Sequence, residues 1–305
     1  MRRMIKNEEV DVVVQGIVDG ERTKLCIESI RTFLPGARVI LSTWKGQKLN
    51  LNVDLIVESD DPGNLSVNLL GNINREIVGR MEGLRVCERK YTLIIRSDSK
   101  ILNLNFVDEF ERDYERGRYK AYDFLEKRVI MCSSGNMKNS LYFLCDWFFF
   151  GLTIDLIKLY DLPLFDKKEI EDTSLPQYST PHEYLAINFV KKFIELKYDY
   201  SRRKNKKEKE QWEKILCENF ITLGFYENYG ILNLKEPYYS NQIRNASNFF
   251  CGMKHLMLNY EKEDWILIYN RLYRKRERIE KRLEWRAGWI GIRVYRMIKP
   301  VKCSN

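Results

Sequence analysis

The chain has 305 residues, 44% hydrophobic and 13% aromatic, which is enough apolar material for a large core and excludes a disordered protein. Its formal charge of +9 is local, because the stretch from Trp265 to the C-terminus holds twelve Lys/Arg against three acids and the first 264 residues carry forty of each sign. A neutral body of this kind excludes nucleic acid as an expected partner, since phosphate neutralisation needs positive charge spread over the binding face. Seven cysteines without a CxxC pair suggest neither a disulfide framework nor a zinc site, and point to a reducing compartment. The opening MRRMIKNEEVDVVV has an apolar run too short for a signal peptide, and Leu141 to Leu152, interrupted by Asp146, falls short of the roughly 18 to 20 apolar residues that cross a bilayer. A cytoplasmic protein is expected.

In chain order, Val10 to Val18 reads as a first strand and Thr23 to Leu34 as a helix stopped by Pro35-Gly36. Ala37 to Trp44 and Val53 to Ser59 read as strands, with a loop at Asp60-Asp61-Pro62-Gly63. A long helix is expected over Leu65 to Val86, then a strongly β-type run over Lys90 to Arg96. Beyond it, Asn105 to Arg116 reads as a helix and Lys127 to Cys132 as a strand. Tyr142 to Phe150 reads as a strand or buried apolar segment leading into a helix at Thr153 to Tyr160. Asp161 to Ser179 is loop-like, and Pro181 opens a helix continuing over His182 to Leu196. The charged run Arg202 to Glu210 reads as a solvated loop or helix face, and Asp264 to Ile298 as a basic amphipathic helix. Strands alternating with helices in the first half predict an α/β sheet.

In such a sheet ligands bind beyond the carboxyl ends of the strands. The burst Arg96-Ser97-Asp98-Ser99 directly after Leu93-Ile94-Ile95 therefore marks a candidate site centred on Asp98. Asn72 and Arg75 interrupt the apolar stripe of the helix before that strand, and Arg75 is suited to a bidentate phosphate contact. Asp146 lies among Trp147 and three phenylalanines, where a carboxylate must be paired or shifted in proton affinity, as general bases are. Glu183 opens a helix, where an acid also favours the helix dipole.

The order VVVQGIV, ARVILSTWKG, DPG, GNINR, KYTLIIRSD, DWFFFG and P-x-E-Y, spanning Val10 to Leu196, resembles the WavE lipopolysaccharide synthesis family of bacterial glycosyltransferases. The resemblance implies a GT-A-like fold, a Rossmann-type mixed sheet flanked by helices, that binds a nucleotide-sugar donor. The chain is expected to divide into a nucleotide-sugar-binding catalytic domain over 1–200 and a helical C-terminal extension over 201–305 that ends in the basic amphipathic helix. By that likeness Gln15 and Gly16 sit at the nucleotide, with Ser42, Thr43 and Asp60 at the ends of the next two strands. Asn72, Arg75 and Arg96 would complete the donor site. Asp98 would take the place of a metal-binding aspartate motif for Mn or Mg, although RSDS offers one carboxylate where two are common; without a metal, Arg75 and Arg96 would neutralise the diphosphate. Asp146 is the preferred general base and Glu183 the reserve.

The expected function is sugar transfer to a glycan or lipid-linked acceptor of a growing bacterial surface polymer, such as lipopolysaccharide, O-antigen or capsule. A non-catalytic sugar-nucleotide-binding scaffold is one alternative. A nucleotidyltransferase is another, although Gln15 to Gly20 lacks the Gly-rich basic loop such enzymes present. The basic C-terminal helix could lie on anionic headgroups at the inner face of the inner membrane, or pack on the domain or on a second copy in a homo-oligomer.

Overall fold

The computed structural model describes residues 4–47, 50–65, 71–112, 114–132, 141–166, 180–196, 206–223, 230–234 and 262–273. Strand β1 (Val10–Gln15) lies between two parallel neighbours, which is why its residues read as one apolar run. The exception, Asp11, is wholly buried, and its Oδ2 accepts from the backbone N–H groups of Glu88 (2.7 Å) and Arg89 (2.9 Å), fastening the turn before the next central strand. Helix α1 (Gly20–Phe33) leads to β2 (Arg38–Trp44), which pairs with β1, and β3 (Leu55–Ser59) pairs with β2 at the sheet edge. Helix α2 (Ile73–Arg85) crosses back to β4 (Tyr91–Arg96) on the other side of β1. Gly79 and Gly83 let α2 approach the sheet closely, since a Cβ at Gly83 would fall on the Val13 side chain.

After β4 come the short strand β5 (Ser99–Ile101), α3 (Asn105–Phe110), β6 (Val129–Cys132), β7 (Phe148–Leu152) and α4 (Thr153–Tyr160). Helices α5 (Pro181–Lys191) and α6 (Lys206–Asn219) follow, then β8 (Phe220–Leu223), β9 (Ile231–Asn233) and α7 (Lys262–Tyr273). The central sheet has the order β3-β2-β1-β4-β7-β6-β8, with β7 antiparallel to β4 and β6. The remaining pairings, β8 on β6 included, are parallel. This is the expected mixed α/β, GT-A-like architecture. A separate antiparallel pair, β5–β9, returns the chain to the edge of the candidate site, where Leu234 N–H donates to the Asp98 carbonyl (2.7 Å).

Several expectations shift. The first strand ends at Gln15 because Gly16 turns away at φ +131°. The helix expected from Leu65 begins at Ile73; Leu65 closes a loop by donating to the Gly71 carbonyl, and residues 66–70 lie outside the described set. The helix expected to Arg116 stops at Phe110. Residues 141–147 hold no regular element, and Tyr142 there adopts φ 52°. Of the charged run Arg202 to Glu210, residues 206–210 form the first turns of α6. The basic helix is described only to Tyr273, so most of the tail lies outside the described residues.

β8 completes the central sheet, and Trp212 and Trp265 are buried in the same core as β1 and β4, so the described residues on both sides of 200 share one sheet and one core. The four residues of β8 are too short a run to reveal a sheet strand from sequence. Among the described residues no helix is long and apolar enough to cross a membrane.

Candidate active site

β2 and β4 flank β1 on opposite sides, so the direction in which the sheet grows reverses at β1 and a crevice opens at the carboxyl ends of these strands. Register sets the last residues of β1 and β4 level, Gln15 against Arg96, while on the other side Gln15 pairs with Ser42 and β2 runs two residues further, to Trp44. Beyond them the turns are cinched together. Gly16 N–H donates to the Ser42 carbonyl (3.1 Å), Ser97 N–H to the Gln15 carbonyl (2.9 Å), and Ser97 Oγ to the Ile17 carbonyl (2.8 Å). A Cβ at Gly16 would meet Ser97 Oγ at 2.8 Å in a backbone conformation that side chains resist, so glycine is required. The result is a cleft of about 310 Å³ lined by Gln15, Gly16, Ile17, Trp44, Asn72, Arg75, Glu76, Arg96, Ser97, Asp98, Asp146 and Pro181.

Seven of the site residues expected from sequence therefore meet in one place: Gln15, Gly16, Asn72, Arg75, Arg96, Asp98 and Asp146. Four do not line it. Ser42 is buried and its hydroxyl donates to the Gly79 carbonyl (2.5 Å), pinning α2 to the sheet. Thr43 points into the core, its Oγ1 without a hydrogen bond. Asp60 pairs with Lys45 (2.8 Å) at the exposed surface. Glu183 is fully buried as the third residue of α5, whose start is capped by Thr180 Oγ1 accepting from the Glu183 N–H (3.2 Å). It is not among the residues that line the cleft.

The cleft is dense in paired charge. Arg96 grips Asp98 in a two-point contact, Nε to Oδ1 at 3.0 Å and Nη2 to Oδ2 at 2.9 Å, and its Nη1 stands 3.6 Å from Asp146 Oδ2. Burial works against the Arg96 charge, but these two carboxylates outweigh it and hold the guanidinium firmly protonated. Arg75 makes the equivalent contact with Asp61 (2.7 and 2.6 Å) and donates to Asn72 Oδ1 (3.1 Å). Behind the wall Arg80, almost wholly buried, donates to Glu76 Oε1 (2.9 Å), to the Tyr160 hydroxyl and to the Asp146 carbonyl. Its guanidinium lies over the rings of Tyr160 (5.0 Å) and Phe149 (5.8 Å).

These neighbours set two carboxylates apart. Burial disfavours the Asp146 charge, but His182, Arg96 and Arg80 around it hold its carboxyl below the usual range. Glu76 is pushed the other way: burial and the nearby Asp146 charge raise it to about 7, against Arg80, Arg96 and Tyr160. The shift expected of a base at Asp146 thus falls on Glu76. Sequence reasoning stopped one residue short of Glu76, at Arg75. It also missed Ile17, Trp44 and Ser97 as lining residues, although the last position of β2 and the residue before Asp98 were both readable as strand ends.

A divalent ion does not fit the expected position. Both Asp98 oxygens are occupied by Arg96, and among the described residues no group of three His, Cys, Asp or Glu side chains converges as a ligand set. Positive charge in the cleft comes instead from guanidinium groups.

The model of the WavE lipopolysaccharide synthesis family matches residues 10–298, and the chain belongs to that family. The match runs through the C-terminal third, well past Leu196, where the motif-level likeness ended. No curated protein matches the chain.

Proposed function

From membership of the WavE lipopolysaccharide synthesis family, we propose that this protein is a glycosyltransferase that takes a sugar from a nucleoside diphosphate donor and passes it to a hydroxyl of a bacterial surface glycan or its lipid-linked precursor. The observation that carries the reading is the cleft at the carboxyl ends of β1 and β4, where guanidinium groups and carboxylates converge at the topological switch point. Such transfer needs positive charge where the diphosphate departs and a carboxylate where the acceptor loses its proton. Arg96 and Arg75 supply the first. Both are held in planar two-point contacts with carboxylates, a geometry that phosphate oxygens can replace. Trp44, at the end of β2, gives the donor an aromatic wall. Asp146 and Glu76 are the carboxylates of the cleft wall that can deal with the acceptor proton.

The test is a thermal-shift screen of nucleoside diphosphate sugars, with and without manganese. A donor at a hundred times its Kd stabilises the folded state by about 2.7 kcal/mol and raises Tm accordingly. A panel covering uridine, guanosine, adenosine, cytidine and thymidine sugars that leaves Tm unmoved would reject the reading. Binding without release of nucleoside diphosphate under any acceptor condition would favour a scaffold of the same pathway.

A further inference from the structure

Residues four apart share a helix face, so the sequence Glu76-Ile77-Val78-Gly79-Arg80 sets a carboxylate and a guanidinium side by side on α2. The helix begins at Ile73, which puts Glu76 in its first turn at the cleft and Arg80 one turn deeper in the core. The Glu76 side chain is 8% exposed, yet it lines the cleft. Its Oε1 is the atom that Arg80 Nη1 (2.9 Å) and the Tyr160 hydroxyl (3.4 Å) both reach. No hydrogen bond from a described residue occupies Oε2. One oxygen is thus braced by Arg80 and Tyr160, in a side chain that lines the cleft.

Asp146 is placed differently. Its Oδ1 lies 3.7 Å from His182 Nδ1, and its Oδ2 lies 3.6 Å from Arg96 Nη1 and 4.0 Å from Arg80 Nη2. Burial lowers the proton affinity of His182, so the standing positive charge beside Asp146 is that of Arg96 and Arg80, and a carboxylate between two guanidinium groups holds its charge well and a proton poorly. The groups that bear on Glu76 are Arg80 on its own helix, Tyr160 from α4, Asp146 from the 141–147 segment and Arg96 from β4. In this company burial dominates, and a carboxyl raised to about 7 matches what a general base needs at neutral pH.

We propose that Glu76 is the general base of this cleft, receiving the acceptor's proton on Oε2 while Asp146 stays ionised as the counter-charge of Arg80 and Arg96. The assignment rests on the glycosyl-transfer reading. In the step, the acceptor O–H bond breaks with its proton passing to Glu76 Oε2. The acceptor oxygen bonds to the anomeric carbon, and the bond from that carbon to the phosphate oxygen breaks, its electron pair leaving with the nucleoside diphosphate. Glu76 then returns the proton to water. Arg80 and Tyr160 are positioning residues, since they touch Glu76 and not the cleft's contents.

The experiment uses the full chain, the nucleoside diphosphate sugar giving the largest thermal shift, and water as the acceptor, with nucleoside diphosphate release as the rate. Glu76→Gln keeps the shape and the oxygen that Arg80 contacts; it should lower release by about 10²- to 10⁴-fold with donor Kd within about threefold of the parent. In the parent, release should rise with pH along a limb near 7. Tyr160→Phe removes a hydrogen bond that favours the charged carboxylate, so that limb should move to higher pH, an effect that a purely structural role would not produce. Release by Glu76→Gln within about threefold of the parent would overturn the assignment, as would a limb unmoved in Tyr160→Phe, which decides the matter if Glu76→Gln does not fold. A parent protein that neither binds nor turns over any nucleotide sugar would remove the glycosyl-transfer reading, and the base with it.

Discussion

The carboxyl of Glu76 can be tested without any substrate, through its linkage to folding. In the unfolded chain it titrates near 4.5, and in the folded protein burial raises it to about 7. The folded state therefore binds this proton more tightly than the unfolded state. The corresponding stability is fully present below pH 4.5 and is lost as pH rises through 7. The size of that loss, from one pKa difference, is about 3 kcal/mol between pH 4 and pH 8. Glu76→Gln carries an uncharged amide in the same place and escapes the loss, so its stability relative to the parent should improve by about 3 kcal/mol across that range. Asp146 has the opposite linkage, since its carboxyl is held low and its contribution disappears only in acid as pH falls through the folded value. Both proteins retain it, so it largely cancels in the difference. Urea unfolding of parent and variant at pH 4, 5, 6, 7 and 8 measures the gap directly. Two stability curves that run parallel, within about 0.5 kcal/mol over the whole range, would refute the raised carboxyl and remove the electrostatic support for its role.

Two further outcomes concern the donor and the tail. If guanidinium groups rather than a metal ion meet the diphosphate, donor binding should survive a chelator, and Asp98→Asn should leave donor Kd within about threefold. Arg96→Ala should weaken it by roughly tenfold or more, from the loss of charge-assisted hydrogen bonds. Calorimetric titration of the best donor checks all three, and abolished binding in chelator would restore the metal. The basic C-terminal segment, with Arg293, Arg296, Lys299 and Lys302 among its charges, is expected to bind anionic lipid. Removing Ile290 to Asn305 should sharply reduce sedimentation with phosphatidylserine vesicles, and unchanged co-sedimentation would assign the tail to packing instead.

Much of the site was legible in the chain because strands that are buried on both faces announce themselves as β-branched runs. The polar residue ending such a run must emerge at the rim of the sheet. Arg96 and Asp98 were found in this way, Gln15 and Gly16 through the family likeness, and they meet because β1 and β4 pair in register. Positions that depend on orientation were not legible. Ser42 and Thr43 end the same stretch of β2 yet serve the helix contact and the core, while Trp44 beside them reaches the cleft. Asp60 and Asp61 are adjacent, but only Asp61 meets Arg75. Glu183 was drawn into the interior by the turn of helix that its own cap begins.

What the sequence determined by itself was the alternation of strands and helices, the rim on which a site had to form and the family likeness, since all of these rest on spacings of a few residues along the chain. What only the tertiary structure decided was the proton chemistry. Arg80 meets Asp146 across 66 residues and Tyr160 across 80, and those encounters decide which carboxylate stays charged and which holds a proton. Proton affinity is set by neighbours in space and by exclusion of water, and neither is written in local spacing.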